Sequence, residues 1–93
     1  MTRAEMNKAK ELAKEFSDLY LGGVVDIAPR FNEKYEKVPK VHIHIKDFFE
    51  LYGDREFQYA NRADTCMEAQ IMDDDVFVMA LVDRYEYPKR SEA

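Results

Sequence analysis

The sequence predicts an α+β roll: two N-terminal helices followed by a three-stranded antiparallel meander with long, curved strands, in the order α-α-β-β-β. Three observations carry this expectation. Residues 2–20 place apolar side chains at helical spacing. Residues 26–39 offer a capping residue, a first-turn proline and a terminal proline, as a short second helix would. From residue 40 onward the apolar residues recur at every second position, interrupted by two turn signals.

Thr2 and Glu5 form a capping-box pattern, the threonine hydroxyl available to the third helical N–H and the glutamate reaching back. Met6, Ala9, Leu12, Ala13, Phe16, Leu19 and Tyr20 then make one stripe, with Lys8, Lys10, Glu11 and Lys14 turned away from it. The polar side mixes both signs, so the stripe is expected to pack on the core and not on a membrane surface. Gly22 and Gly23 end the helix. In the second helix Asp26 is the cap, Pro29 lies in the first turn, Phe31, Tyr35 and Val38 share a face, and Pro39 is the stop.

In the period-two region the odd positions Val41, Ile43, Ile45, Asp47, Phe49 and Leu51 share a face, continued by Phe57, Tyr59, Asn61, Ala63, Thr65, Met67, Ala69 and Ile71. Three-residue loops at 53–55 and at Asp73–Asp74–Asp75 keep the faces matched. They pair Leu51 with Phe57, Ile45 with Ala63, Ile71 with Phe77, Ala69 with Met79 and Met67 with Leu81. The odd face is expected against the first helix. The long middle strand is expected to bend or bulge near Asn61. Residues 1–87 form a single domain in this reading, and 88–93 a flexible tail.

Ninety-three residues suffice for one modest core. The longest apolar run, Val76 to Val82, is too short to span a membrane, and the charged N-terminus has no apolar segment of a signal peptide. A single cysteine fits a reducing, cytoplasmic setting. Residues 1–46 carry nine Lys/Arg against seven Asp/Glu, and residues 47–93 five against twelve, which gives the net charge of −5. This acidic second half argues against direct nucleic-acid binding; it is read first as a solvated surface, and otherwise as a face that meets a basic partner or mimics nucleic acid.

Four constellations are candidates for function. The first is His42-x-His44, which the expected register places beside Asp64 and Cys66. These are four weak zinc donors that lie in a row on an open strand surface and do not converge, so no metal and no cofactor are expected. The second is a polar cluster on the otherwise apolar inner face, comprising Asp47, Tyr59, Asn61, Thr65, Asp83 and Tyr85. It is the alternative, a small-ligand pocket or, less favoured, an acid–base site. The third is strand three, where Val76, Val78, Ala80 and Val82 face outward in that register. With Phe48, Tyr52, Cys66 and Met72 they make an exposed apolar patch of the kind that marks a partner surface. The fourth, Asp73–Asp74–Asp75, holds too few oxygens for calcium and reads as a solvated turn.

Two resemblances accompany these residues. The α-α-β-β-β order is similar to a short cystatin-like or nuclear-transport-factor-like roll, which implies a pocket between helix and curved sheet. KDFFELYGD resembles the strand segment of the MutS-type mismatch-recognition domain, with Phe48 and Glu50 at its Phe-x-Glu positions, which would imply DNA contact. Lys46 stands where that motif has glycine, and a period-two run replaces the helix that should follow. The functional expectation is therefore a small non-catalytic interaction protein, an inhibitor or adaptor of the kind phages carry, acting on a protein partner or on its own copy.

Overall fold

In the computed structural model residues 1–83 are described. The expected tail at 88–93, the domain end at 87 and Tyr85 lie outside the described residues. Helix α1 (Arg3–Tyr20) starts where the capping box places it. The Glu5 N–H donates to Thr2 Oγ1 at 3.1 Å, and the Thr2 N–H donates to Glu5 Oε1 at 2.8 Å. Two of the N–H groups that a helix start leaves unpaired are thereby satisfied. Hydrogen bonding from Thr2, its backbone N–H first and its hydroxyl second, holds the Glu5 carboxyl below its ordinary value. At the other end Gly23 adopts φ +106°, and a side chain there would run into the Asp47 carboxylate. This position needs glycine both for its backbone and for the close approach.

The second helix expected at 26–38 does not exist. Residues there form the antiparallel hairpin of β1 (Val24–Phe31) and β2 (Lys37–Ile43). Pro29 and Pro39, read as first turn and stop, lie opposite each other in its ladder. Pro29 is tolerated because β1 is an edge strand, and Pro39 because it just precedes the Lys40–His42 stretch that pairs with the next strand. Asn32 organises the hairpin tip, its Oδ1 accepting from the Lys34 and Glu36 N–H groups at 2.9 Å each, while Tyr35 takes a left-handed φ of 60°.

The first strand of the expected meander is also overturned beyond Ile43. Residues 45–52 form helix α2 (Ile45–Tyr52), capped by His44, whose Nδ1 accepts from the Lys46 N–H at 3.2 Å. Leu51 and Phe57 are therefore not cross-strand partners. The long middle strand is two strands, β3 (Gln58–Ala63) and β4 (Cys66–Asp73), folded back at Asp64–Thr65. In place of the bend expected near Asn61 in one long strand, the β3–β4 ladder shifts register between Asn61 and Ala63, beside the turn. Strand β5 (Val76–Asp83) follows a turn in which Asp74 and Asp75 both have positive φ, 50° and 64°. That turn has two residues, not three, because Asp73 pairs with Val76. The one-residue difference slips the whole register. Ile71 meets Val78, Ala69 meets Ala80 and Met67 meets Val82, so every β5 side chain changes face.

The result is α+β, with one N-terminal helix and a five-stranded mixed sheet in the order β1-β2-β5-β4-β3. Strands β2 and β5 are parallel and the other neighbours antiparallel. α2 covers one face. Its Ile45, Phe48 and Tyr52 pack with Ile43, Phe57, Ala69, Ile71, Val78, Ala80 and Val82. Phe48 is fully buried, its ring centroid 5.2 Å from both Tyr52 and Phe57 in tilted and edge-on contacts. The Tyr52 hydroxyl donates to Asp73 Oδ2 at 2.7 Å. Burial, then that bond and the Asp73 charge, push the phenol up to about 12.

Candidate interaction surfaces

The face of the sheet opposite α2 carries a charged cluster that begins with the ladder. Glu68 on β4 stands beside Leu81 of β5 and Ala60 of β3 and is only 8% exposed. A buried carboxylate must be paired and hydrogen-bonded. Arg62 donates to its Oε2 at 2.7 Å, while Arg30 at 3.2 Å and Gln70 at 2.9 Å both donate to Oε1. Arg30 comes from β1, three strands away in sheet order, so its side chain reaches across β2 and β5 to this carboxylate. On the way its guanidinium stacks on Phe77, 4.2 Å above the ring centroid. Met79, flanked in the ladder by His42 and Gln70, is 2% exposed on this side.

Electrostatics make this cluster structural. Burial raises the Glu68 carboxyl, but the bonds from Gln70, Arg62 and Arg30 outweigh it and hold the group below its ordinary value. An ionised carboxylate engaged by three donors has no basicity to lend to a reaction. His42, on the same face opposite Asp26, is pushed down by burial and then by Lys40, partly offset by Asp26, so the neutral ring is favoured. A hollow of about 720 Å³ under the hairpin tip is lined by Phe31, Val38, Met72 and Phe77, with Arg30 and Glu33 among the charged groups around it.

The second surface lies on α1. None of its 18 residues, all of them described, is buried. Leu12 is 51% exposed, and Met6, Leu19 and Tyr20 are exposed with it. Leu12, Phe16 and Leu19 line a groove of about 510 Å³ against Ile27 of β1, itself exposed, and Val25 and Leu21 are exposed nearby. α1 is thus an amphipathic helix whose apolar stripe meets one edge strand instead of a core.

The residues proposed from the sequence are placed differently. Val78, Ala80 and Val82, with Phe48 and Tyr52, form the core beneath α2, with Val76 packed against it. They are therefore not an outward patch. Met72 is exposed, but on the opposite face beside Phe77, and Cys66 is half-buried opposite Asp83. The polar cluster is not assembled either. Asp47 sits in the first turn of α2 against Gly23, Asn61 pairs with Met67, Tyr59 with Ala69, Thr65 lies in the β3–β4 turn, and Asp83 pairs with Cys66. His42 faces the Glu68 side, His44 caps α2, and Asp64 is in a turn. Among the described residues no group of three or more His, Cys, Asp or Glu side chains could hold a metal ion. The mismatch-recognition resemblance fails on the same ground, since its strand segment is a helix and Phe48 is buried.

Sequence reasoning missed the Glu68 cluster, because nothing local signals that Arg30 will reach β4. It saw the α1 stripe but assigned it to the core. Among the described residues no helix is long and apolar enough to cross a membrane. Comparison with protein-family models, with curated proteins and with solved structures finds no match to this chain.

Proposed function

We propose that this chain is a non-catalytic interaction protein whose contact surface is the apolar face of α1 with the adjoining edge of β1. One observation supports the reading above the others: an 18-residue amphipathic helix with a continuous apolar stripe and no buried residue. Apolar patches beyond a few hundred Å² on a folded chain mark contact sites. Leu12, Leu19 and Ile27, all exposed, lie together along the α1–β1 groove. The ligand-pocket alternative loses its support, since Asp47, Asn61 and Asp83 do not converge. Replacing both Leu12 and Leu19 by Glu tests the reading. The double variant should unfold in urea within about 1 kcal/mol of wild type, because exposed positions tolerate charge, while losing binding of an apolar dye and all association. A loss of more than about 2 kcal/mol would show the face to be core and end the proposal.

A further inference from the structure

We propose that the occupant of the α1 face is a second copy of this chain, the two α1 helices lying side by side and parallel about a two-fold axis. This rests on the reading of that face as the contact surface. Three features select the partner and the geometry.

The first is area. Met6, Leu12, Leu19, Tyr20, Leu21, Val25 and Ile27 are each between 39% and 89% exposed. Together they expose at most roughly 500–700 Å² per copy, so an isologous pair would bury up to about 1,000–1,400 Å², the lower part of the range of stable interfaces. Ala9 and Ala13, between the larger side chains, let the helices approach closely.

The second is net charge. The chain carries −5, so most of its surface repels a copy of itself. α1 does not. Arg3, Lys8, Lys10 and Lys14 balance Glu5, Glu11, Glu15 and Asp18.

The third is the distribution of that charge around the stripe. At about 100° per residue, Arg3, Lys10 and Lys14 fall on one flank and Glu11 and Glu15 on the other, with Lys8 and Glu5 as the exceptions and Asp18 on the back of the helix. In a parallel two-fold pair the basic flank of each helix runs along the acidic flank of its partner. An antiparallel pair would set basic against basic and acidic against acidic. Such flanking charges choose partner and direction in helix pairs.

Sedimentation equilibrium of the full chain from about 1 to 200 μM should show a dimer dissociating at a micromolar concentration, the order expected of a small interface. The pair Lys10→Glu with Lys14→Glu, and separately Glu11→Lys with Glu15→Lys, should each weaken self-association at least about tenfold, and a 1:1 mixture of the two should restore it. In a Cys66→Ala background, Ala9→Cys and Leu19→Cys should each oxidise to a dimer linked through the same position in both copies. A full chain that stays monomeric at about 200 μM overturns self-pairing. Flank reversals without effect, or Ala9→Cys linking only to Leu19→Cys, overturn the parallel arrangement. The Leu12/Leu19 unfolding result separately decides whether the face is a surface at all.

Discussion

Replacing Phe48 by Ala distinguishes a core under α2 from a core under α1, the arrangement the sequence pattern suggested. Phe48 is fully buried and touches Phe49, Tyr52 and Phe57 at ring-centroid distances of 6.2, 5.2 and 5.2 Å. Truncating a buried Phe costs about 3–5 kcal/mol through lost transfer energy and the cavity left behind. Lost edge-on pairs add to the upper end of that range. At about 0.05–0.15 kcal/mol per residue, a chain of this size has roughly 5–14 kcal/mol in total, so the substitution removes a large share. Leu12→Ala is the control. It deletes a half-exposed side chain from a helix and inserts the best helix former, so its cost should stay below about 1 kcal/mol. Urea titration followed by circular dichroism gives both values, with an unchanged slope if the transition remains two-state. Phe48→Ala within about 1 kcal/mol of wild type, together with Leu12→Ala costing more than about 2 kcal/mol, would refute the α2 core.

Two further expectations follow from single side chains. The Glu68 carboxyl lies below its ordinary value of 4.5 in the folded chain, so the unfolded chain binds more protons in acid. Its contribution is complete above that value and is lost as pH falls through the lower, folded one. The stability advantage of wild type over Glu68→Gln should therefore shrink as pH drops from about 5 to about 3, read by urea midpoints at each pH, and an advantage that is flat with pH would refute the pairing. His44→Ala removes the cap of α2 and should cost about 1 kcal/mol, while His44→Asp, which keeps an acceptor there, should recover most of it in the same unfolding assay.

What was legible in the sequence is what local chemistry decides. The Thr2–Glu5 capping box marks the start of α1, and the extended character of residues 66–83 is visible in the Val, Ile and Met alternation. Helix α2 was also written there. Ile45, Phe48, Phe49 and Tyr52 stand at i, i+3, i+4 and i+7, but a period-two reading of the odd positions absorbed Ile45 and Phe49. Phe31, Tyr35 and Val38 suited a helix face equally well, and only the Asn32 turn and the facing prolines decide for a hairpin. The β4–β5 error was one residue of loop. Two consecutive aspartates accept left-handed backbone and close a two-residue turn, and that slip turned the supposed interface into the core. The Glu68 cluster was not legible at all, because it depends on a strand order that brings Arg30 of β1 within reach of β4.

The parallel pairing of β2 with β5 has a consequence for how the chain reaches this structure. Lys40 meets Phe77 only after α2 and two strands have been threaded between them, whereas β1–β2 and β4–β5 close through short turns. Local hairpins form in microseconds, but distant strands must first lose the entropy of the intervening loop. Docking of the two hairpins across β2 and β5, with α2 laid down beneath, is therefore the step expected to limit refolding. Substitutions at Val41 and Val78, which face each other across that seam, should slow refolding, while changes in the hairpin tip at Asn32 should mainly hasten unfolding.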